Sequence, residues 1–367
     1  MALSRPSSSA LSSRRFLLVG RTNGWQGLYW TALAEALRSV DCEAHIFDYA
    51  IGDTPGLLER ILPGDAEARR RKRRTMALIA ELRDVQPDVL LVHTLRFDLE
   101  LLREAYLGTL VLWDLDGPAG FLEGGEVPES AGFDLVVSVS RATCRELVIQ
   151  DSVPVRYLPN GVSTANYRPG PLEYADRRRF GSSLACIGSA SPRRVEHYAQ
   201  LAEVMKAPPP SPDSTQAPPD LVLWGRRWHQ PPFNHSALQG CYRERNDVEG
   251  REALSIYRAS DVMLNVLREP FVSRDLPTTM NLEVFHTLSS GTCLLTEWVE
   301  ELEDAFEPGL EVLTFRTPDE LCELAMRYAI DTHAARAIGK AGRRRCEAEH
   351  TLAHRAHSLL RFLDEIS

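Results

Sequence analysis

The chain of 367 residues is 44% apolar and 25% charged, a composition that gives room for two domain cores and excludes a single small module. A formal net charge of −9 argues against general nucleic-acid binding through bulk charge, although local basic patches stay open, and no apolar stretch reaches the roughly 18 to 20 residues a membrane span needs. The seven cysteines are scattered with no Cys-x-x-Cys pair, so neither a disulfide framework nor a zinc site is expected, and the expected location is cytoplasmic.

Residues 1–13, rich in Ser, Ala and Arg, have no periodicity and read as a loose tail. From Arg15 short apolar runs alternate with helical patterns: Phe16–Val19, a helix near Tyr29–Ser39, Ala44–Tyr49, a helix around Glu67–Arg83, Val89–Val92, Leu110–Trp113, Leu135–Val139, a helix at Arg141–Gln150 and Val155–Leu158. Such alternation predicts a parallel sheet with helices on both faces. After a polar join at Arg168–Arg179 a second series begins: Leu184–Ile187, a helix Pro192–Met205, Leu221–Trp224, a helix Arg251–Ala259 and Val262–Val266. It continues with a helix Met280–Ser290, Thr292–Thr296 and Glu311–Phe315, then a capping box at Thr317-Pro318-Asp319-Glu320 and closing helices. Six prolines between Ala207 and Asp220 mark a surface loop. Two α/β halves follow, residues 14–168 and 169–345, with 346–367 as a final helix whose Leu352, Ala356, Leu359, Leu360 and Leu363 share one face.

Four segments carry chemistry. Gly20-Arg21-Thr22-Asn23-Gly24-Trp25-Gln26-Gly27 follows the first strand; it is either a ligand-facing loop, with Gly24 against the ligand, or a plain tight turn, and its spacing is not the dinucleotide fingerprint. Asp114 and Asp116 follow the strand Leu110–Leu112. They suit a Mg²⁺-dependent phosphatase of the haloacid-dehalogenase type, a Mn²⁺-dependent glycosyltransferase, or a strand-capping loop in a metal-free sugar cleft. The phosphatase also needs a later Lys, and the chain has only Lys72, Lys206 and Lys340. Gly188-Ser189-Ala190-Ser191-Pro192-Arg193-Arg194 ends a strand and opens a helix, so amides, dipole and guanidinium can form a diphosphate site, or the arginines can lie on a solvated first turn. Arg69 to Arg74, interrupted only by Lys72, is a solvated helix face or a contact for an acidic partner.

Several motifs resemble a known family. Gln86–His93 and Val155–Val162 are similar to N-terminal landmarks of retaining GT-B glycosyltransferases. Ser255–Asn265, Gly291–Thr296, Phe306–Val312 and His350-Thr351 resemble the CgeB-like (spore maturation protein) branch. The resemblance implies an α/β fold of two Rossmann-like parallel-sheet domains facing across a cleft, the last helix crossing back to the first domain. It implies a nucleoside-diphosphate sugar donor, a UDP-sugar being expected, held by the C-terminal domain without an obligatory metal, and an acceptor it does not identify. The diphosphate would meet Arg193 or Arg194 and helix N-termini near Gly188 and Gly291. Tyr257, Asn265 and Thr292 would line the donor side, Gln239–Asn246 would border the base, and His93 would touch the donor sugar unless it is a satisfied strand-end residue. Asp114 and Asp116 would border the acceptor, with specificity in the loops Ile51–Gly64 and Gly117–Ser130. In one respect the chain departs from the family: where an Arg-x-Phe-Glu segment grips hydroxyls ahead of the glycine, it has Glu283-Val284-Phe285-His286. Either Glu283 reaches the same hydroxyls from one turn away, or the donor is unusual, or transfer has been lost, leaving a silent nucleotide- or glycan-binding protein.

Overall fold

The computed structural model describes residues 14–52, 66–94, 96–115, 132–150, 153–206, 218–243, 248, 250–267 and 279–367. The tail, Asp116, the loop Gly117–Ser130, most of the loop Ile51–Gly64 and most of the proline-rich loop lie outside the described residues, as does the end of Gln239–Asn246. The chain divides into two compact units, residues 1–159 with 352–367, and residues 160–351.

The first unit is built on β1 (Arg15–Gly20), α1 (Gly24–Arg38), β2 (Glu43–Asp48), α2 (Ala66–Val85), β3 (Val89–Val92), α3 (Leu99–Ala105), β4 (Thr109–Asp114), β5 (Leu135–Ser138), α4 (Arg141–Gln150) and β6 (Val155–Tyr157). Its six strands are parallel, in the order β2-β1-β3-β4-β5-β6. The central strands β3 and β5 are buried at every position, which unbroken apolar runs such as Val89–Val92 require of a sheet covered on both faces. Edge strand β2 is buried only at Ala44 and Phe47. The last helix, Leu352–Ile366, belongs to this unit: it packs on α1, Arg14 pairs with Asp364 at 2.7 Å, and Arg156 pairs with Glu365 at 2.9 Å.

The second unit contains α5 (Tyr174–Phe180), β7 (Ser182–Ile187), α6 (Pro192–Met205), β8 (Leu221–Trp224), α7 (Gly250–Ala259), β9 (Ser260–Asn265), α8 (Leu282–Ser289), β10 (Cys293–Glu297), α9 (Glu300–Ala305), β11 (Leu313–Phe315), α10 (Pro318–Ile330) and α11 (Thr332–Glu349). Its five strands are parallel, in the order β11-β10-β9-β7-β8. The join expected at Arg168–Arg179 contains helix α5, whose end is closed by Phe180, buried against Trp224. Thr317 caps α10 by accepting from the Glu320 amide at 3.2 Å, while the Glu320 carboxylate reaches back to the Arg316 amide at 2.6 Å, one residue beyond the cap amide of a reciprocal box.

Each sheet has one place where chain order reverses, between β1 and β3 in the first unit and between β7 and β9 in the second. There successive connections leave to opposite sides, opening a crevice at the carboxyl ends of the strands.

Helix α11 lies against α8 and β10, and two glycines in its interior permit the approach. A Cβ on Gly339 would stand 2.5 Å from the Gly291 carbonyl oxygen and 2.7 Å from the Cys293 amide nitrogen. In an open helix interior Gly to Ala is worth about 1 kcal/mol of stabilisation. Here Gly339→Ala is expected to lose about 2 kcal/mol through overpacking, read from the urea midpoint of unfolding. A rise in the midpoint would show the contact to be loose.

Candidate functional site

At the β7/β9 switch the two strand exits are tied to each other and to neighbouring loops. β7 runs into Gly188, whose φ of +150° is open to glycine, and the Arg194 guanidinium occupies the space a Cβ would take. Ser191 caps α6, accepting from the Arg194 amide at 3.4 Å, with Pro192 following at the first helical position. The Gly188 amide donates to the Trp224 carbonyl at 2.8 Å, and its carbonyl accepts from the Trp228 indole at 2.9 Å. Arg227, at a left-handed φ of +71°, donates to the Ala190 carbonyl at 2.8 Å. The turn is therefore held open by backbone contacts on three sides.

The two arginines expected at a diphosphate are fixed by this frame. Arg194 is 4% exposed and donates to the Val266 carbonyl at 2.8 Å and the Ser189 carbonyl at 2.9 Å, so one guanidinium spans both strand exits. Arg193 pairs with Glu297 at the end of β10, and the other Glu297 oxygen accepts from the Leu267 amide at 3.3 Å. Tyr198 on α6 completes the frame: its hydroxyl donates to the Leu264 carbonyl at 3.3 Å and accepts from the Val266 amide at 3.2 Å.

Asn265 ends β9. It forms a reciprocal amide pair with Asn281, donating at 3.0 Å and accepting at 3.1 Å, and also donates to Thr296 at 3.0 Å. Asn281 is the N-cap residue of α8 and makes no side-chain capping bond to its own helix. In the first turn of α8, Glu283 accepts from the Tyr257 hydroxyl at 2.5 Å. Burial pushes the Glu283 carboxyl above the usual range, against the pull of that bond and of Arg194, and burial pushes the Tyr257 phenol far up. One turn further on, His286 stacks on Tyr167 with ring centres 3.8 Å apart and planes 8° from parallel, and burial lowers its imidazole to about 3. Glu283 and Tyr257 are thus in contact, whereas His286 faces an aromatic ring.

Gly291 and Thr292 are elsewhere. Gly291, at φ +79°, closes the carboxyl end of α8: its amide donates to the Leu288 carbonyl at 2.9 Å and the Thr292 amide to the Thr287 carbonyl at 3.4 Å, a Schellman closure. The helix N-terminus expected near Gly291 is therefore a helix C-terminus, whose dipole repels anions. The Thr292 hydroxyl donates to the Tyr257 carbonyl at 2.6 Å, at the amino end of β10, away from the carboxyl edge. The amino end of α8, at Asn281–Glu283, is the feature at the switch that the spacing of glycines did not reveal.

The first unit has a parallel arrangement of different chemistry. The Trp30 ring fills the place of a Gly20 side chain, and its indole N–H, fully buried, has no acceptor among the described residues. Gly24 opens α1 at φ +64° after Asn23, which makes no side-chain capping bond. Gly27 serves the turn itself, since a Cβ there would overlap the Thr22 carbonyl. His93 lies just past β3, its ring centre 5.1 Å from Trp30 and 5.6 Å from Tyr49. Nδ1 stands 2.9 Å from the Val19 carbonyl, and burial lowers the imidazole to about 4. A carbonyl only accepts, so Nδ1 carries the proton and Nε2 is left as an acceptor. Asp114 is 4% exposed and accepts from the Ser138 hydroxyl at 2.6 Å. That buried, bonded carboxylate fixes the β4–β5 junction and does not suit the attacking group of a phosphatase. Tyr198, Arg227, Trp228, Asn281 and Glu297 were not singled out by sequence motifs; the only visible signal was Gly225-Arg226-Arg227 directly after a strand.

A glycosyl transferase-like family model matches residues 210–361. Sucrose-phosphate synthase from Thermosynechococcus elongatus superposes with a TM-score of 0.63 at 16% identity, covering 96% of this chain and all of that one. HepE from Anabaena, solved in complex with UDP and glucose, gives 0.63 at 12% identity over 96% of this chain and 100% of its own. A glycosyltransferase from Rickettsia africae gives 0.65 at 11% identity over 96% and 98%. No curated protein matches in sequence. At such identities the likeness shows the fold, which is that of GT-B glycosyltransferases.

The histidines make stability depend on pH. His286 and His93 sit at about 3 and about 4 in the fold, and near 6.5 when the chain is unfolded. Between those values the unfolded chain binds protons that the folded chain does not, so stability is complete above about pH 6.5 and falls as pH drops toward 4. His286→Gln is expected to flatten the dependence of the urea midpoint on pH across that window. An unchanged slope would show that the ring titrates alike in both states.

Proposed function

We propose that the protein transfers a sugar from a nucleoside-diphosphate sugar, a UDP-sugar being the expected donor, to an acceptor hydroxyl, and that the second unit binds the donor at the β7/β9 switch. One observation carries this reading: α6 and α8 open at the carboxyl edge beside adjacent strands, and Arg194 spans both exits. As the glycosidic bond breaks, negative charge builds on the leaving diphosphate. Fixed amides, helix dipoles and buried guanidinium groups stabilise that charge without reorganising. Such a site supplies its positive charge from protein groups and has no need of a divalent ion.

Roles follow from the bonds already present. Arg193 and Arg194 bring positive charge to the strand exits while holding them in place. Glu283, oriented by Tyr257, accepts from a ribose or sugar hydroxyl. In the first unit, neutral His93 offers Nε2 to a hydroxyl and the amino end of α1 at Gly24 offers amides. The family-model match and the UDP complex of HepE, a protein of this fold, favour the same assignment. A second reading, a nucleotide-binding protein without transferase activity, is favoured by His286, an uncharged ring stacked on Tyr167 where the resemblance expects a carboxylate.

Calorimetric titration with UDP, GDP and TDP in the presence of a chelator tests the proposal. One of the three is expected to bind with an affinity the chelator leaves unchanged, and Glu283→Gln to weaken the nucleotide sugar about tenfold, the worth of one hydrogen bond to a charged group. Hydrolysis or transfer of a matching sugar donor then identifies the enzyme, and the anomeric configuration of its product tests for retention. Binding without turnover of any sugar donor favours the silent protein. Failure of all three nucleotides to bind removes the donor site altogether.

A further inference from the structure

The donor reading leaves the basic run of the first unit unused. Helix α2 carries Arg69-Arg70-Arg71-Lys72-Arg73-Arg74 in its first half. Electrostatically this is the wrong half: the amino end of a helix is its positive pole. Arg69 with Arg73 and Arg70 with Arg74 are also like charges four residues apart. Glu67 is the sole acid between residues 66 and 80, and it pairs with both Arg70 at 3.1 Å and Arg74 at 3.0 Å. Arg74 is 2% exposed and belongs to the fold. Arg71 and Lys72 are exposed, Arg69, Arg70 and Arg73 are half-buried, and Met76, one turn on from Lys72, is 50% exposed. A chain of net charge −9 thus concentrates six positive charges in a stretch of six residues, two of them paired with Glu67.

We propose that this face of α2 is a docking surface for an anionic lipid bilayer. Successive residues of a helix point about 100° apart, so the run winds round the helix and does not converge on one phosphate, while Arg69, Lys72, Arg73 and Met76, at i, i+3, i+4 and i+7, share one face. A laterally spread negative charge is what such a face complements, and basic clusters of this size on a helix are suited to acidic lipid headgroups. Met76 adds an apolar contact at the headgroup boundary. No helix among the described residues is long and apolar enough to cross a membrane, so attachment here is peripheral, reversible and salt-sensitive. A duplex nucleic acid is the poorer occupant, because its charge follows it past the patch toward an otherwise acidic chain, whereas a flat bilayer meets one face only. The inference stands on the first unit alone and does not depend on the donor assignment.

Vesicle co-sedimentation of the full chain tests it. Binding is expected to phosphatidylcholine vesicles containing about 30% phosphatidylglycerol at about 0.1 M salt, not to phosphatidylcholine alone, with release at about 0.5 M salt. Replacing Arg71→Glu together with Lys72→Glu is expected to weaken binding at least tenfold. Acids favour the amino half of a helix, so the melting temperature should hold or rise, and nucleotide affinity should stay as in the parent. Equal binding to neutral vesicles, no binding to anionic ones, or undiminished binding by the double variant would overturn the proposal. Tighter binding of a duplex oligonucleotide than of anionic vesicles at equal salt would reassign the surface to nucleic acid and overturn it too.

Discussion

The candidate donor site depends on one constraint: the backbone leaving β7 and the backbone leaving β9 are fixed to each other by side chains of a single helix. Arg194 of α6 bonds to carbonyls of both exits, Tyr198 holds an amide and a carbonyl of the second, and Arg193 reaches its fourth backbone group, the Leu267 amide, through Glu297. Buried polar groups left unpaired cost more than paired ones gain, so a frame like this is either complete or absent. Asn281, the residue placed to cap α8, is paired with Asn265 instead and gives no side-chain capping bond to the amides of the first turn.

The two units use one architecture for different chemistry. Each has a parallel sheet with one reversal of strand order, and each places a glycine at the strand exit beside it, Gly20 and Gly188. At Gly188 the space is taken by a guanidinium, at Gly20 by an indole. The first brings to the crevice the cationic group that the proposed donor site would use for a diphosphate. The second makes an aromatic one, with Trp30, Tyr49 and a neutral His93 presenting single hydrogen-bonding atoms, as hydroxyl recognition requires.

Most of the fold was legible in sequence because parallel strands buried on both faces leave unbroken apolar runs. Val89–Val92, Leu221–Trp224 and the helices Arg141–Gln150 and Pro192–Met205 coincide with their expected bounds. Helix α5 escaped because three of its seven residues are arginines and only Phe180 is buried. The site was less legible. Glycine spacing cannot tell a glycine that admits a ligand from one that closes a helix, and Gly291 is the second kind. Sequence places Arg194 on a first turn but not its guanidinium beneath Gly188, nor the Asp114 carboxylate against Ser138, since both depend on burial set by residues far away in the chain. The pairing of Tyr257 with Glu283 spans a segment from one helix to the next that no motif encodes.

The exchange of charge along α8 has a consequence for what the proposed donor site reads. Glu283 stands in the first turn, where the dipole favours an anion, while burial lowers the imidazole of His286, in the last turn, to about 3. Relative to the motif that the resemblance implies, the acidic group of the helix stands three residues nearer its amino end, about 4.5 Å along the axis at the usual rise. A carboxylate there lies nearer the amides that would hold phosphate than a carboxylate at position 286 would. Two anions brought close disfavour each other unless one is neutralised, and burial already pushes the Glu283 carboxyl upward. The Tyr257 hydroxyl and the charge of Arg194 oppose that shift. On this account Tyr257 and Arg194 are the groups that favour the ionised form of Glu283 at the amino end of α8, against the burial that disfavours it.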